Sequence, residues 1–209
     1  MKIAVIAAGG RSGALITGEA VKRGHEVTAF IRAMRDTPAR HVVVKDARDV
    51  EAEDLTGFDA VVNAFGVWEP DQLVQHDEVT QKLADALSGT DTKLYVVGSA
   101  GSLLVGEERD QRLWESELMP EPFKPLASAM AEAFDNLRAR DDVDWVYVSP
   151  PLDFQADGEK KGTYIVAGDG FTTNNDGGSS MSYADFAVAL MDIIEKGEFT
   201  QQRISLLSS

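Results

Sequence analysis

Apolar runs alternate with amphipathic stretches from the first residues onward. Short runs rich in β-branched residues predict strands at 2–7, 26–32, 41–45, 59–64, 93–98 and 143–148. Helical spacing of apolar positions predicts helices at 12–23, 71–88, 126–140 and 183–196. This β-α-β order is that of an α/β protein: a doubly wound, mostly parallel sheet with helices on both faces, in a single domain over 1–209. The runs Ala60-Val61-Val62-Asn63-Ala64 and Leu94-Tyr95-Val96-Val97-Gly98 are apolar almost throughout rather than alternating, as strands covered on both faces should be, so they belong at the sheet centre. Gly24, Pro70 or Asp71, and Gly197 stand where helices should stop or start. The pattern lapses at 99–125 and again at 149–182. Both segments follow strands, so both should leave the carboxyl edge of the sheet, where open α/β sheets bind ligands, and are expected to shape a substrate pocket.

Charge and composition narrow the class. Thirty-five acidic against twenty basic residues give a formal charge of −15, which opposes binding to nucleic acid or anionic membranes. Any phosphate site must then be a local positive island, so individual arginines become informative. Hydrophobic residues make up 44% and no run approaches the roughly 18 apolar residues of a membrane span. The first apolar stretch, Ile3 to Ala8, ends in a turn and is too short for a signal peptide, and a cytoplasmic location is expected. The absence of Cys removes thiolate nucleophiles and Cys-ligated metal centres from consideration. The expected partner is a small-molecule acceptor, and the protein is read as a monomer or homodimer.

The first strand runs directly into Ala7-Ala8-Gly9-Gly10-Arg11-Ser12-Gly13 and then a helix. A Gly-rich turn at a helix N-terminus brings backbone N–H groups and a positive dipole end to a pyrophosphate, so a dinucleotide cofactor is the first hypothesis. Only Gly10 and Gly13 fit the usual glycine patterns, because Ala7 and Ala8 stand where a third glycine is common; a plain Gly-rich hairpin is the alternative. The second strand ends Phe30-Ile31-Arg32, with Arg35 close behind, where an NAD-binding unit carries a carboxylate for the ribose hydroxyls. Guanidinium groups suit a 2′-phosphate, and Arg11 adds a third positive group, so NADP(H) is preferred over NAD(H). A single arginine is commonly a solvated surface charge; three around one loop in so acidic a chain weigh against that. Asp46 either faces the adenine or caps a turn. Ala64, Phe65 and Gly66 follow the fourth strand and run beside the cofactor in this reading, with Phe65 and Trp68 as walls or simply core. Ser99, after the fifth strand, falls near the expected position of the nicotinamide ring, where its hydroxyl is expected to donate to the carboxamide or to orient or protonate a substrate.

Two chemistries lack their residues. None of Tyr95, Tyr147, Tyr164 or Tyr183 has Lys four positions on, so the Tyr-x-x-x-Lys dyad of alcohol-oxidising short-chain dehydrogenases is missing. Gly98-Ser99-Ala100-Gly101 does not make the G-x-S-x-G elbow of a serine hydrolase, and His25, His41 and His76 share no metal-ligand spacing.

Taken together, the run to Gly13, the strand ending in Arg32, Asn63-Ala64-Phe65-Gly66, His76-Asp77-Glu78-Val79-Thr80, Val96-Val97-Gly98-Ser99-Ala100-Gly101-Ser102, Val148-Ser149-Pro150-Pro151 and Ser182-Tyr183-Ala184-Asp185-Phe186-Ala187 resemble the NADH–flavin reductase family. These are atypical, single-domain relatives of short-chain dehydrogenases. More distantly the chain is similar to biliverdin/flavin reductases and NmrA-like proteins. The resemblance implies a Rossmann fold, a reduced nicotinamide cofactor and, as in the better understood relatives, hydride delivery to flavin or tetrapyrrole; a planar conjugated acceptor such as a flavin or a quinone is the expected substrate. Carried over, it puts Gly10, Arg11, Ser12 and Gly13 at the pyrophosphate, Arg32 at the 2′-phosphate and Ser99 at the nicotinamide end, with Pro150 and Pro151 shaping the same pocket; Gly9, in the same turn, is expected to bind the cofactor as well. Ala7 and Gly9 depart from the family pattern. A non-catalytic NAD(P)-binding redox sensor is the alternative; a sugar-nucleotide epimerase is weaker, since it needs the missing dyad.

Overall fold

The computed structural model describes residues 1–209. In chain order the strands are β1 (Lys2–Ile6), β2 (Glu26–Ile31), β3 (His41–Val44), β4 (Ala60–Asn63), β5 (Lys93–Val97), β6 (Leu104–Val105), β7 (Gln111–Arg112), β8 (Trp145–Ser149), β9 (Asp153–Gln155), β10 (Tyr164–Ala167), β11 (Ser180–Ser182) and β12 (Gln202–Ser208). The helices are α1 (Arg11–Lys22), α2 (Gln75–Leu87), α3 (Lys124–Arg138) and α4 (Tyr183–Lys196). Eight strands form one sheet in the order β10-β12-β8-β5-β4-β1-β2-β3, with every neighbouring pair parallel except β10 with β12. The chain winds outward from β1 through β2 to β3, then returns to the other side of β1 at β4. This is the doubly wound NAD(P)-binding Rossmann-like fold, and the switch point lies between β1 and β4.

The central strands bury both faces. On β1, Ile3 and Val5 join Ile16, Ala20 and Leu190 in one core, while Ala4 and Ile6 join Val79, Leu83 and Phe134 in the other. Helices α1 and α4 pack together over the first core, α2 and α3 over the second. Their buried positions keep helical spacing: Gly13, Ile16, Thr17 and Ala20 on α1, and His76, Val79, Thr80, Leu83, Ala84 and Leu87 on α2. Gly24 follows α1 and Gly197 ends α4, both in the left-handed region. None of the helices is long and apolar enough to cross a membrane.

Three expectations need correction. The stretch 149–182 is not irregular, since it holds β9, β10 and β11, and 99–125 holds the short antiparallel pair β6–β7. The helix expected from residue 71 starts at Gln75, because Pro70–Gln72 form a separate 3-10 turn. The sheet also gains β12, which was not anticipated and lies buried beside β8. Its polar residues hid it: Arg203, Ser205 and Ser208 break the apolar run, yet all are buried. Ser205 Oγ donates to the Gly168 carbonyl (3.0 Å). Arg203 reaches Asp169 Oδ1 through Nε (2.8 Å), and through Nη1 the Ser102 carbonyl (2.7 Å) and hydroxyl (2.9 Å), with its guanidinium carbon 4.7 Å from the Phe134 ring centroid. It thereby joins the loop after β5 to the loop after β10.

Asp185, in the first turn of α4, makes a comparable tie. Its buried carboxylate accepts from the backbone N–H groups of Lys161 (2.9 Å) and Gly162 (2.7 Å) and from the Ser182 hydroxyl (2.9 Å), and that hydroxyl accepts from the Asp185 N–H (3.0 Å). Burial raises its pKa, but these donors outweigh burial and hold it below the usual carboxylate value. A depressed folded-state pKa contributes stability that is present above the ordinary carboxylate pKa and fades as pH falls through the folded value. Asp185→Asn should therefore cost about 1–3 kcal/mol at pH 7, the range for charged hydrogen bonds lost in a buried site. Urea unfolding should show the deficit against the parent shrinking toward acid pH; a deficit that is constant or grows would refute the assignment.

Candidate functional site

At the carboxyl edge of the sheet a cleft of about 800 Å³ crosses the switch point. Every strand-end loop of the parallel sheet from β3 to β8 contributes to it, at 7–12, 32–35, 45–48, 64–76, 97–101 and 150–154, and the approach to α3 closes one side. Gly9, Gly10, Arg11, Ser12, Arg32, Arg35, Asp46, Ala64, Phe65, Gly66, Ser99 and Pro150 all line it. Gly13 does not; it lies beneath, where α1 meets β1.

The turn after β1 is tight. Ala8 N–H donates to the Phe30 carbonyl (3.0 Å) and Gly10 N–H to the Ala7 carbonyl (2.9 Å), and α1 begins with Ala14 N–H on the Gly10 carbonyl (2.9 Å). A Cβ on Gly13 would lie 2.4 Å from the Ala7 oxygen and 3.0 Å from Ala8 Cα, so only glycine lets the helix head sit against the strand end. No side chain caps α1, which leaves the N–H groups of its first turn open to an anion. Ala7 itself has φ of 57°, in the left-handed region that glycine adopts freely and an L-residue adopts at a cost.

Three guanidinium groups surround this turn. Arg35 donates to the Gly9 carbonyl and lays its side chain across the turn, so that a Cβ on Gly9 would meet Arg35 Cδ at 3.0 Å. Arg32 is exposed just beyond β2, and Arg11 opens α1 with its guanidinium carbon 5.9 Å from the Tyr183 ring centroid. None of the three is paired with a carboxylate. Asp46 does what its alternative reading anticipated and caps the 3-10 turn Ala47–Asp49, accepting from Arg48 N (3.0 Å) and Arg48 Nε (2.8 Å), while still facing the cleft. The Arg48 hydrogen bonds, with a smaller contribution from Arg32, hold its carboxyl below the usual range.

On the other side of the switch point most of the lining is apolar, with Gln72, Gln75, His76, Ser99 and Asp153 as its polar members besides Tyr183. Gly98 must lack a Cβ because the Tyr147 ring would lie 2.1 Å from it, and Gly101 because Ala127 of α3 would lie 2.6 Å away. The Ser99 hydroxyl accepts from Gly101 N–H (3.2 Å) and has no acceptor in the protein for its own proton, so it is free to donate into the cleft. Tyr147 donates to the Met130 carbonyl (3.2 Å) and accepts from Ser99 N–H (3.3 Å); burial pushes its phenol up to about 12. His76 is held against the Val67 carbonyl through Nε2 (3.1 Å), edge-on to Phe65, and burial lowers its pKa. A Cβ on Gly66 would touch no protein atom within 4 Å, so the space beside it is open to the cleft that it lines. The sequence reading missed Gln72, Gln75, Phe123, Met130, Phe154 and Tyr183. Position was the available signal for the first two, which follow the Trp68 turn at the same sheet edge.

A family model described as NAD(P)H-binding matches residues 7–196. The chain belongs to this NAD(P)H-binding family. It is 39% identical over 211 residues to the uncharacterized protein YwnB of Bacillus subtilis, covering 100% of this chain and 99% of that one. Among solved structures it matches SP1627 of Streptococcus pneumoniae, described as a "putative NADH-flavin reductase", at 49% identity and a TM-score of 0.97 over 100% of both chains. ChuY of Escherichia coli O157:H7, described as an anaerobilin reductase, shares the fold at 19% identity and a TM-score of 0.75, over 100% of this chain and 97% of that one. The cleft fits a dinucleotide on its own evidence: an uncapped helix head, bare glycines and unpaired arginines lie on one side, and a hydroxyl among aromatic rings on the other.

The two special positions of the turn should respond in opposite directions. Gly13→Ala should destabilise the fold by about 1–3 kcal/mol through overpacking. Ala7→Gly should instead raise stability by up to about 1 kcal/mol, because relief of the left-handed strain exceeds the added freedom of the unfolded chain. Urea melts of both variants check the pair, and a stability gain in Gly13→Ala would mean that α1 is not seated as described.

Proposed function

We propose that this protein is an NAD(P)H-dependent reductase that passes hydride to a planar conjugated acceptor, a flavin or a quinone, and that it prefers NADPH. The observation that carries the reading is the cleft across the switch point, with its open helix head and unpaired arginines at one end and its donor hydroxyl and rings at the other. In this reading Gly9, Gly10, Arg11 and Ser12 receive the pyrophosphate, and Gly13 holds the helix close enough for them to do so. Arg32, with Arg35 beside it, receives the 2′-phosphate, and Asp46 faces the adenine. Ala64, Phe65 and Gly66 run along the cofactor, with Ser99 and Pro150 at its nicotinamide end.

When bound, the reduced cofactor supplies a hydride, and one proton from solvent completes the two-electron reduction of the acceptor. The groups around the cleft suit such an acceptor. Tyr147 keeps its proton because burial opposes the phenolate, and its O–H is engaged with Met130. His76 is disfavoured as a cation by burial, and its Nε2 is engaged with Val67. Neither is set up as a proton-transferring acid or base. The protein's contribution is then to stack two rings and exclude water, which suffices when the acceptor's ring system spreads the incoming charge.

Purified protein should oxidise NADPH with riboflavin or menadione faster than the uncatalysed reaction; no acceleration with any flavin or quinone would remove the reductase reading. Arg32→Glu should weaken NADPH by about 1–3 kcal/mol, the range for a charge-assisted hydrogen bond, and leave NADH nearly unchanged. Nicotinamide fluorescence titrations measure both, and equal losses would show that Arg32 does not face the 2′-phosphate. Ser99→Ala should raise the barrier to turnover by about 0.5–1.5 kcal/mol, the contribution of one neutral hydrogen bond. Unchanged kcat and KM would take Ser99 out of the site.

A further inference from the structure

The charge of the cleft is divided between its two halves. Every Lys and Arg that lines it comes from the head of α1 or the ends of β2 and β3: Arg11, Arg32, Arg35, Lys45 and Arg48. Two of these are already engaged, Lys45 with Asp54 (2.5 Å) and Arg48 with Asp46 (2.8 Å). From Ala64 onward the lining includes no Lys or Arg and one acid, Asp153. Beside that lining, Lys124 pairs with Glu121 (2.6 Å) and Arg112 with Asp135 (2.7 Å).

What that half offers instead is apolar surface and neutral polar groups. Trp68, after β4, and Phe123, before α3, meet edge to face across the mouth, with centroids 6.2 Å apart at 73°. They remain 58% and 46% exposed, a large apolar area for two side chains at a cleft rim. Leu126 and Met130 of α3 continue the wall. The side-chain amides of Gln72 and Gln75 line the same half, and neither has a hydrogen-bond partner within the protein. An amide can donate to a carbonyl or accept from an imide N–H, and it carries no charge.

We propose that the part of this half formed by Trp68, Gln72, Gln75, Phe123, Leu126 and Met130 is the acceptor subsite and that it selects an uncharged planar acceptor bearing ring carbonyls, a quinone or an isoalloxazine without a phosphate. The assignment rests on the reductase reading, which gives the arginines of the other half to the cofactor's own phosphates. An acceptor carrying a phosphate, or the carboxylates of a tetrapyrrole, brings an anion to walls that offer no cation, and it meets Asp153 there. Rejection of the charged analogue follows from that absence, and the ring itself is recognised by Trp68, Phe123 and the two amides.

Riboflavin and FMN share one ring and differ by a phosphate, so they isolate the charge. The protein saturated with NADP⁺ is titrated with each, following flavin fluorescence at 0.15 M salt, where the Debye length of about 8 Å screens the chain's overall negative charge. Riboflavin should bind about tenfold or more tightly than FMN, as one unfavourable charge in a partly buried site implies. Gln75→Lys should narrow the gap by strengthening FMN, and Trp68→Ala should weaken riboflavin without changing NADP⁺ affinity. FMN binding as tightly as riboflavin, or neither flavin binding, would overturn the subsite, as would a gap that Gln75→Lys leaves untouched in a variant that still binds NADP⁺. Turnover separates the two readings: riboflavin binding with no oxidation of NADPH would sink the reductase and leave the subsite's selectivity standing, whereas NADPH oxidation with FMN preferred would do the reverse.

Discussion

The site depends on one close approach, that of Gly13 to the carbonyl of Ala7. A helix can offer its first N–H groups to a ligand only if its own chain does not cap them, and only if its head is brought to the sheet edge where the ligand lies. Both conditions are met here by atoms that are absent: a Cβ at Gly13 would hold α1 away from β1, and no Ser, Thr, Asp or Asn side chain caps the turn. The Ala7 carbonyl takes the Gly10 N–H and closes the turn, but this orientation puts Ala7 at φ 57°. The strain of about 1–2 kcal/mol that an L-residue meets there is held by the flanking ladder, in which β1 pairs with both β2 and β4.

The opposite end of the cleft is held by buried polar ties. Arg203 sits on β12, away from the cleft, yet its guanidinium fixes Ser102 and so the turn that begins at Ser99. Its side chain is 2% exposed, and a cation so placed is tolerable only because Asp169, Ser102 and the Phe134 face surround it. Tyr147 supports the same turn from below by accepting the Ser99 N–H. These ties leave few polar groups of that turn unsatisfied, and the Ser99 hydroxyl proton is the one left facing the cleft.

How much of this was legible in the sequence follows from where each residue's partners lie. Strands such as Ala60–Asn63 and Lys93–Val97 declare themselves because burial on both faces demands an unbroken apolar run, and that run is local. The glycine turn and the arginines were legible as cleft residues because both lie close in sequence to the ends of the first strands. Strand β12 was not, since its buried Arg203 and Ser205 find their partners in loops more than thirty residues away. The half of the cleft lined by Gln72, Gln75 and Phe123 was equally hidden. Gln72, Gln75 and Phe123 are ordinary loop and helix-start residues until the fold brings the β4 and β5 loops to one edge. Asp46 was ambiguous for a different reason: it serves both as a cap and as part of the wall, and no local pattern separates the two.

In the proposed reductase reading, the engagement of Tyr147 and His76 within the protein bears on the substrate as well as on the mechanism. Reduction of an isolated carbonyl places charge on one oxygen, and that alkoxide needs a proton donor beside it in the transition state. Two ring groups around the cleft are already engaged: the Tyr147 hydroxyl donates its hydrogen bond to the Met130 carbonyl, and His76 Nε2 is held at the Val67 carbonyl. A quinone or isoalloxazine spreads the same charge over its ring system and can take its proton later from water, so a cleft that orients rings and excludes solvent is enough for it. The neutral amides of Gln72 and Gln75 agree with that requirement, since hydrogen bonds to ring carbonyls strengthen as charge builds on them and call for no titrating group. The cationic side chains of the lining thus all stand in the half built by α1, β2 and β3, and the other half carries one charged residue, Asp153.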